Sequence, residues 1–215
     1  MMKLMKPENK IIEEFVETLG GDEYSRKAVD LLVENCERGY IDLSGLSEEE
    51  KFEISLILSY FDLAHPLTAI NSSLAWKSRL ISHSTNKLEI PYIVREIFRS
   101  VKNGNFELEK IVENYFRKIG ERKPSDFFEI FKEITNEAEN NIVCGNTIVK
   151  ASQKRNRDGG VVIAELKGSG LISPFAGCGN AFQSYGKKYQ SPVYEINRFV
   201  RLLIEGYKSK ATRQK

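Results

Sequence analysis

Long apolar runs are missing from this chain of 215 residues. The most apolar segment, "ISLILSYF" from Ile54 to Phe61, falls far short of the roughly 18 residues that a membrane span requires, so no membrane partner is expected. Histidine is nearly absent, with only His65 and His83. The three cysteines, Cys36, Cys144 and Cys178, stand too far apart to form a close ligand pair, which argues against a structural zinc site. An odd, scattered set of thiols suits a reducing compartment. The opening "MMKLMKPENK" lacks the apolar core of a signal peptide, and the expected location is the cytoplasm.

Nucleotide-loop signatures are missing too. There is no G-x-x-x-x-G-K-[ST], and neither "GSG" nor "FAGCGN" lies in a strand–glycine loop–helix unit with a downstream acid. Cys178 has glycine neighbours, but both histidines lie about a hundred residues upstream without a supporting motif. His65, ahead of Pro66, reads as a turn residue at a helix start, and His83 as a solvated loop residue. No catalytic residue, metal or cofactor is therefore assigned, and the expected protein is non-enzymatic. An enzyme with an unrecognised site stays as the outlying alternative.

What is present is an ordinary globular composition, 41% hydrophobic and 29% charged. Abundant Lys, Glu and Ile fit a thermophile. The net charge of +2 conceals a split: residues 150–215 hold thirteen basic and four acidic side chains, a net +9, which leaves −7 on residues 1–149. Segregation of this kind points to a polyanionic partner. The competing explanation is that the acidic part docks on the basic part.

The first 140 residues read as short amphipathic helices. "ENKIIEEFVETLGG" carries Ile11, Ile12, Phe15 and Leu19 on one stripe and closes on a glycine pair. A helix from Asp22 to about Arg38 follows, stopping at Gly39. Ser47 and Glu50 form a capping box for the next helix, whose later turns are apolar nearly all round and predict a central position in the core. Another helix is expected over 66–82, with Trp76 buried. Three more are expected over 91–101, 106–119 and 125–139. After Asn140 glycine and β-branched residues become frequent, and a small basic domain is expected over 125–215 after an acidic helical domain over 1–124.

Within "KASQKRNRDGGVVIAELKGSGLISP" one helix is expected to end near Asn156 and another to start at Asp158 as N-cap. Strands follow at "LIS" and "PVYEI", then a last helix, "INRFVRLLIEGY". The alternative pairs "TIVKAS" and "VVIAEL" as strands across a cationic tip, since each glycine costs a helix about 1 kcal/mol. Residues 125–206, with Leu166, Gly170, Leu171 and Ile172 at the hand-over from second helix to first strand, resemble the winged helix-turn-helix superfamily. That resemblance implies a second helix placed in the major groove of DNA with a β-wing beside it. The fold class expected is mainly α, a multi-helix bundle followed by a small α+β winged-helix-like domain.

The expected phosphate contacts are Lys150, Lys154, Arg155, Arg157, Lys167, Lys187 and Lys188, with Tyr185 and Tyr189 as stacking residues in the wing. The second helix offers Gly159, Gly160, Ala164, Glu165 and Lys167 outward, poor equipment for reading bases. The function expected is nucleic-acid backbone binding, DNA ahead of RNA, with a homo-oligomer or protein partner held by the N-terminal helices. The alternative is a protein-interaction subunit that uses the same fold as a docking module.

Overall fold

The computed structural model describes residues 7–67, 76, 79, 81–82, 85–175 and 191–212. Among them the chain is mainly helical, with two small antiparallel sheets. It divides into two compact units, Met1–Ala69 with Leu80–Glu107, and Ile70–Arg79 with Leu108–Lys215. No helix among the described residues is long and apolar enough to cross a membrane.

In the first unit, α1 (Pro7–Leu19), α2 (Glu23–Asn35), α3 (Glu48–Tyr60) and α4 (Tyr92–Lys102) surround a core that includes Phe15, Leu32, Leu58, Ile97 and Phe98. Gly20 and Gly21 take the positive φ that ends α1, and the Gly21 N–H returns to the Val16 carbonyl at 2.9 Å. The capping box of α3 forms as expected, Ser47 Oγ accepting from the Glu50 N–H while Glu50 accepts from the Ser47 N–H. Yet α3 is not central: it buries Ile54, Ser55 and Leu58, while Phe52 and Leu56 are each 40% exposed and Tyr60 61%. An all-round apolar sequence does not say which face finds a partner.

Three short strands, β1 (Tyr40–Asp42), β2 (His65–Pro66) and β3 (Lys87–Glu89), form a sheet ordered β1-β3-β2 with Ile41 opposite Leu88. His65 is thus a buried strand residue rather than a helix-start turn, and Pro66 pairs with Leu88 instead of opening a helix. Most of the helix expected over 66–82 lies outside the described residues, as does His83. Trp76 is described, and it is buried as expected.

The second unit begins with α5 (Leu108–Lys118), one helix before the boundary expected at 124/125, because α5 lies against α6 (Ser125–Glu137) and stacks Phe116 on Phe127 with ring centroids 3.9 Å apart. Next come β4 (Ile142–Cys144), α7 (Gly145–Gln153), α8 (Gly159–Ser169), β5 (Ile172–Pro174), β6 (Val193–Ile196) and α9 (Arg198–Thr212). The sheet runs β4-β6-β5, with Val143 opposite Tyr194 and Ser173 opposite Glu195. Ser173 also accepts the Trp76 backbone N–H at 3.0 Å. Asn197 joins sheet to helix: its amide donates to the Gly170 carbonyl, and its Oδ1 caps α9 by accepting from the Val200 N–H at 3.0 Å.

The segment from Thr147 to Leu166 therefore folds as two helices, not a hairpin. Asp158 caps α8 by accepting from the Val161 N–H at 2.9 Å, and Gly170, at φ +82°, ends it. Gly159 is required by proximity: a Cβ there would lie 2.7 Å from Val149 Cγ2 on α7. The residue that counts against a helix by propensity is the one that lets α7 and α8 touch.

Candidate nucleic-acid interface

Three helices, α6, α7 and α8, and two connections position the charged groups of this cluster in the second unit. Lys150 and Lys154 stand four residues apart, so they share one face of α7 and its C-terminal turn, and both are exposed. Lys154 Nζ lies 2.5 Å from Glu133 Oε1 on α6, with 63% of its side chain still exposed. Arg155 donates to the other oxygen of Glu133 at 2.9 Å and to the Ala151 carbonyl at 3.0 Å. Lys154 and then Arg155 hold the Glu133 carboxyl below its ordinary range.

Arg157 is a clamp. Its Nε donates to Asp126 Oδ2 at 2.9 Å, its Nη2 to the Lys123 carbonyl at 2.7 Å and its Nη1 to Glu121. The guanidinium also sits 4.7 Å from the centre of the Phe127 ring, and only 15% of the side chain is exposed. The turn after α7 is thereby tied to the loop between α5 and α6 and to the first turn of α6. Glu165 on α8 joins this cluster: its Oε2 is sealed from solvent without a hydrogen-bond partner. Burial, then the charge of Glu121 and a hydrogen bond with it, raise the Glu165 carboxyl, against the pull of Arg157.

Of the nine residues expected at the interface, the structure brings Lys150, Lys154, Arg155 and Arg157 together around α7 and its following turn. Arg155 and Arg157 are committed to carboxylates of their own unit, and Lys154 shares Glu133 with Arg155 while most of its side chain stays in solvent. Lys167 lies half-buried on α8. Tyr185, Lys187, Lys188 and Tyr189 lie outside the described residues. Along α8 the outward positions are Gly160, Val161, Ala164 and Gly168, with Val161 50% exposed. None of these can donate or accept a side-chain hydrogen bond to a base edge.

Sequence reasoning missed the exposed pair Arg122 and Lys123 in the α5–α6 loop. This loop and the α7–α8 turn bound an open cleft of about 480 Å³ whose lining includes Arg122, Lys123, Arg155 and Asn156. It also missed the carboxylates at 121, 126 and 133, which sit 21 to 36 residues from their cations. No periodic signal marks pairs so far apart. Among the described residues, no group of three or more His, Cys, Asp or Glu side chains is placed to hold a metal ion.

A protein-family model matches residues 13–210, which take in most of both units. No curated protein and no solved structure matches the chain.

Proposed function

The chain belongs to the family matched over residues 13–210, and we propose that its C-terminal unit is a winged-helix-like, non-enzymatic module that holds nucleic-acid backbone, DNA ahead of RNA, without reading sequence. The order α6, β4, α7, α8, β5, β6, with β6 between β4 and β5, supports the winged-helix-like assignment. The observation that carries the function is the exposed row of Lys150 and Lys154 on a helix pair locked in place by Arg157, in a region of net +9. Lysines fixed to a rigid scaffold neutralise phosphates and release counterions, which drives binding to any sequence. The outward face of α8, made of glycine, alanine and valine, supports the absence of readout. The acidic N-terminal helices are assigned to contacts with a second copy or a partner chain, in the cytoplasm.

Competition between two unrelated duplexes for the full chain tests this, read by fluorescence anisotropy at low salt. Equal competition supports backbone binding. A preference of a hundredfold or more for one sequence overturns the sequence-independent assignment, and no binding of either duplex or of single strands overturns the function.

A second function, docking of a partner protein, is favoured by one observation: the α8 face is small and apolar, with Val161 half exposed. Val161→Lys separates the two. It adds a cation and leaves nucleic-acid binding equal or tighter, whereas it disrupts a protein contact centred on that face.

A further inference from the structure

We propose that the cleft between the α5–α6 loop and the α7–α8 turn holds a backbone phosphate of the bound nucleic acid, with Arg122 and Lys123 as its cations. This rests on the function assigned above and adds a contact outside the α7–α8 pair and the wing.

The charges of the cleft wall are unequally committed. Glu121 and Asp126 accept from Arg157, and Asp158 accepts from the Val161 N–H. Each carboxylate of the wall is thus engaged by a donor of its own unit. Arg122 and Lys123 are exposed, and among the described residues neither side chain has a carboxylate partner. The excess charge facing the opening is positive. An anion entering there meets two cations and displaces no internal ion pair.

The loop that carries the two cations is also held in place. Arg157 grips the loop on both sides of Arg122, through the Glu121 carboxylate and the Lys123 carbonyl. Gly120, at φ +97°, makes the turn that leads into it. A loop fixed before binding loses less conformational freedom when the ligand arrives. At about 480 Å³ the cleft is roomy enough for a phosphate and its attached sugars, and its open mouth allows a continuous chain to pass rather than enclosing a free ion. Arg155 and Asn156, on the opposite wall, place the site beside the Lys154 end of α7, so one backbone can run from the lysine row into the cleft.

The test measures affinity of the full chain for a random duplex as a function of salt, comparing wild type, R122A/K123A, the length-preserving R122Q/K123Q, and R38A/K87A as a charge-matched control in the first unit. Thermal melting of each variant confirms folding. The expected result is a log–log salt slope smaller by about 1 to 2 in both cleft variants, with affinity at low salt reduced about tenfold or more, and little change in the control. Binding by the cleft variants with the wild-type slope overturns the cleft assignment and leaves the function standing. Equal losses in control and cleft variants overturn it as well, since net charge alone then explains them. Failure of wild type to bind any duplex or single strand overturns the function itself.

Discussion

Arg157→Ala removes a side chain that sequence alone assigns to the ligand and that the structure assigns to the fold. Its loss strands two carboxylates, Glu121 and Asp126, whose side chains are only 16% and 20% exposed, and frees the Lys123 carbonyl. A charged hydrogen bond left unmade costs about 1.5–3 kcal/mol. Water reaches both carboxylates in part, which reduces that figure for each. Removing the guanidinium from the face of the Phe127 ring adds about 0.5–1 kcal/mol. The sum is about 3 kcal/mol, and for a chain of this size each kcal/mol moves the melting temperature by about 2–4 °C. A fall of about 6–12 °C is expected at neutral pH, checked by urea unfolding to separate stability from aggregation. Arg157→Lys keeps the charge but not the fork, so it falls between the two. A variant Arg157→Ala within about 1 kcal/mol of wild type, with nucleic-acid binding abolished, would refute the clamp and return Arg157 to the interface.

Three further outcomes follow from the geometry. Glu165→Gln is expected to raise stability at neutral pH and flatten its pH dependence. The folded carboxyl titrates above the unfolded one, so its contribution is full below the usual carboxylate range and is lost as pH rises through the raised value; urea midpoints from about pH 4 to 8 check this. Glu50 behaves oppositely, because a hydrogen bond from Lys27, then those from the Ser47 backbone and hydroxyl, draw its carboxyl down to about 2. Ser47→Ala should cost about 1 kcal/mol at neutral pH and less as the pH falls toward that value, in the same assay. Two glycines of α8 should respond with opposite signs. Gly159→Ala collides with Val149 and destabilises by about 1–3 kcal/mol, whereas Gly168→Ala meets nothing within 4 Å and stabilises by about 0.5–1 kcal/mol in thermal melts.

Which of these features the sequence discloses depends on the range of the interaction that creates them. Helices show because their signals are local: the stripes of α5 and α6, the capping box at Ser47 and the N-cap at Asp158 lie within a few residues of the elements they start. The strands β1 to β4 are two or three residues long, too short for alternation to register, and "IVC" at β4 is buried at every position. They exist because a distant segment offers a paired edge. The face of α3 is hidden for the same reason, since its apolar positions nearly encircle it and only tertiary packing selects Ile54 and Leu58.

The candidate site divides in a similar way. That the cations are concentrated at 150–157 is legible; that Arg155 and Arg157 spend their charge on Glu133, Glu121 and Asp126 is not, because burial and partner geometry decide it. The same three carboxylates explain part of the charge split. Acids of residues 1–149 do meet the basic turn, but they come from within the second unit itself. The candidate interface shrinks accordingly, from every cation in the stretch to those whose side chains stay largely in solvent.

The most direct test of backbone binding is the salt dependence of duplex affinity for the full chain, wild type against Lys150→Ala/Lys154→Ala/Lys167→Ala. Wild type is predicted to bind without regard to sequence. The triple variant is predicted to show a log–log salt slope smaller by about 2 to 3, near 0.9 for each phosphate no longer neutralised. A triple variant that binds with the wild-type slope, or a wild type that binds no nucleic acid at low salt, would contradict it.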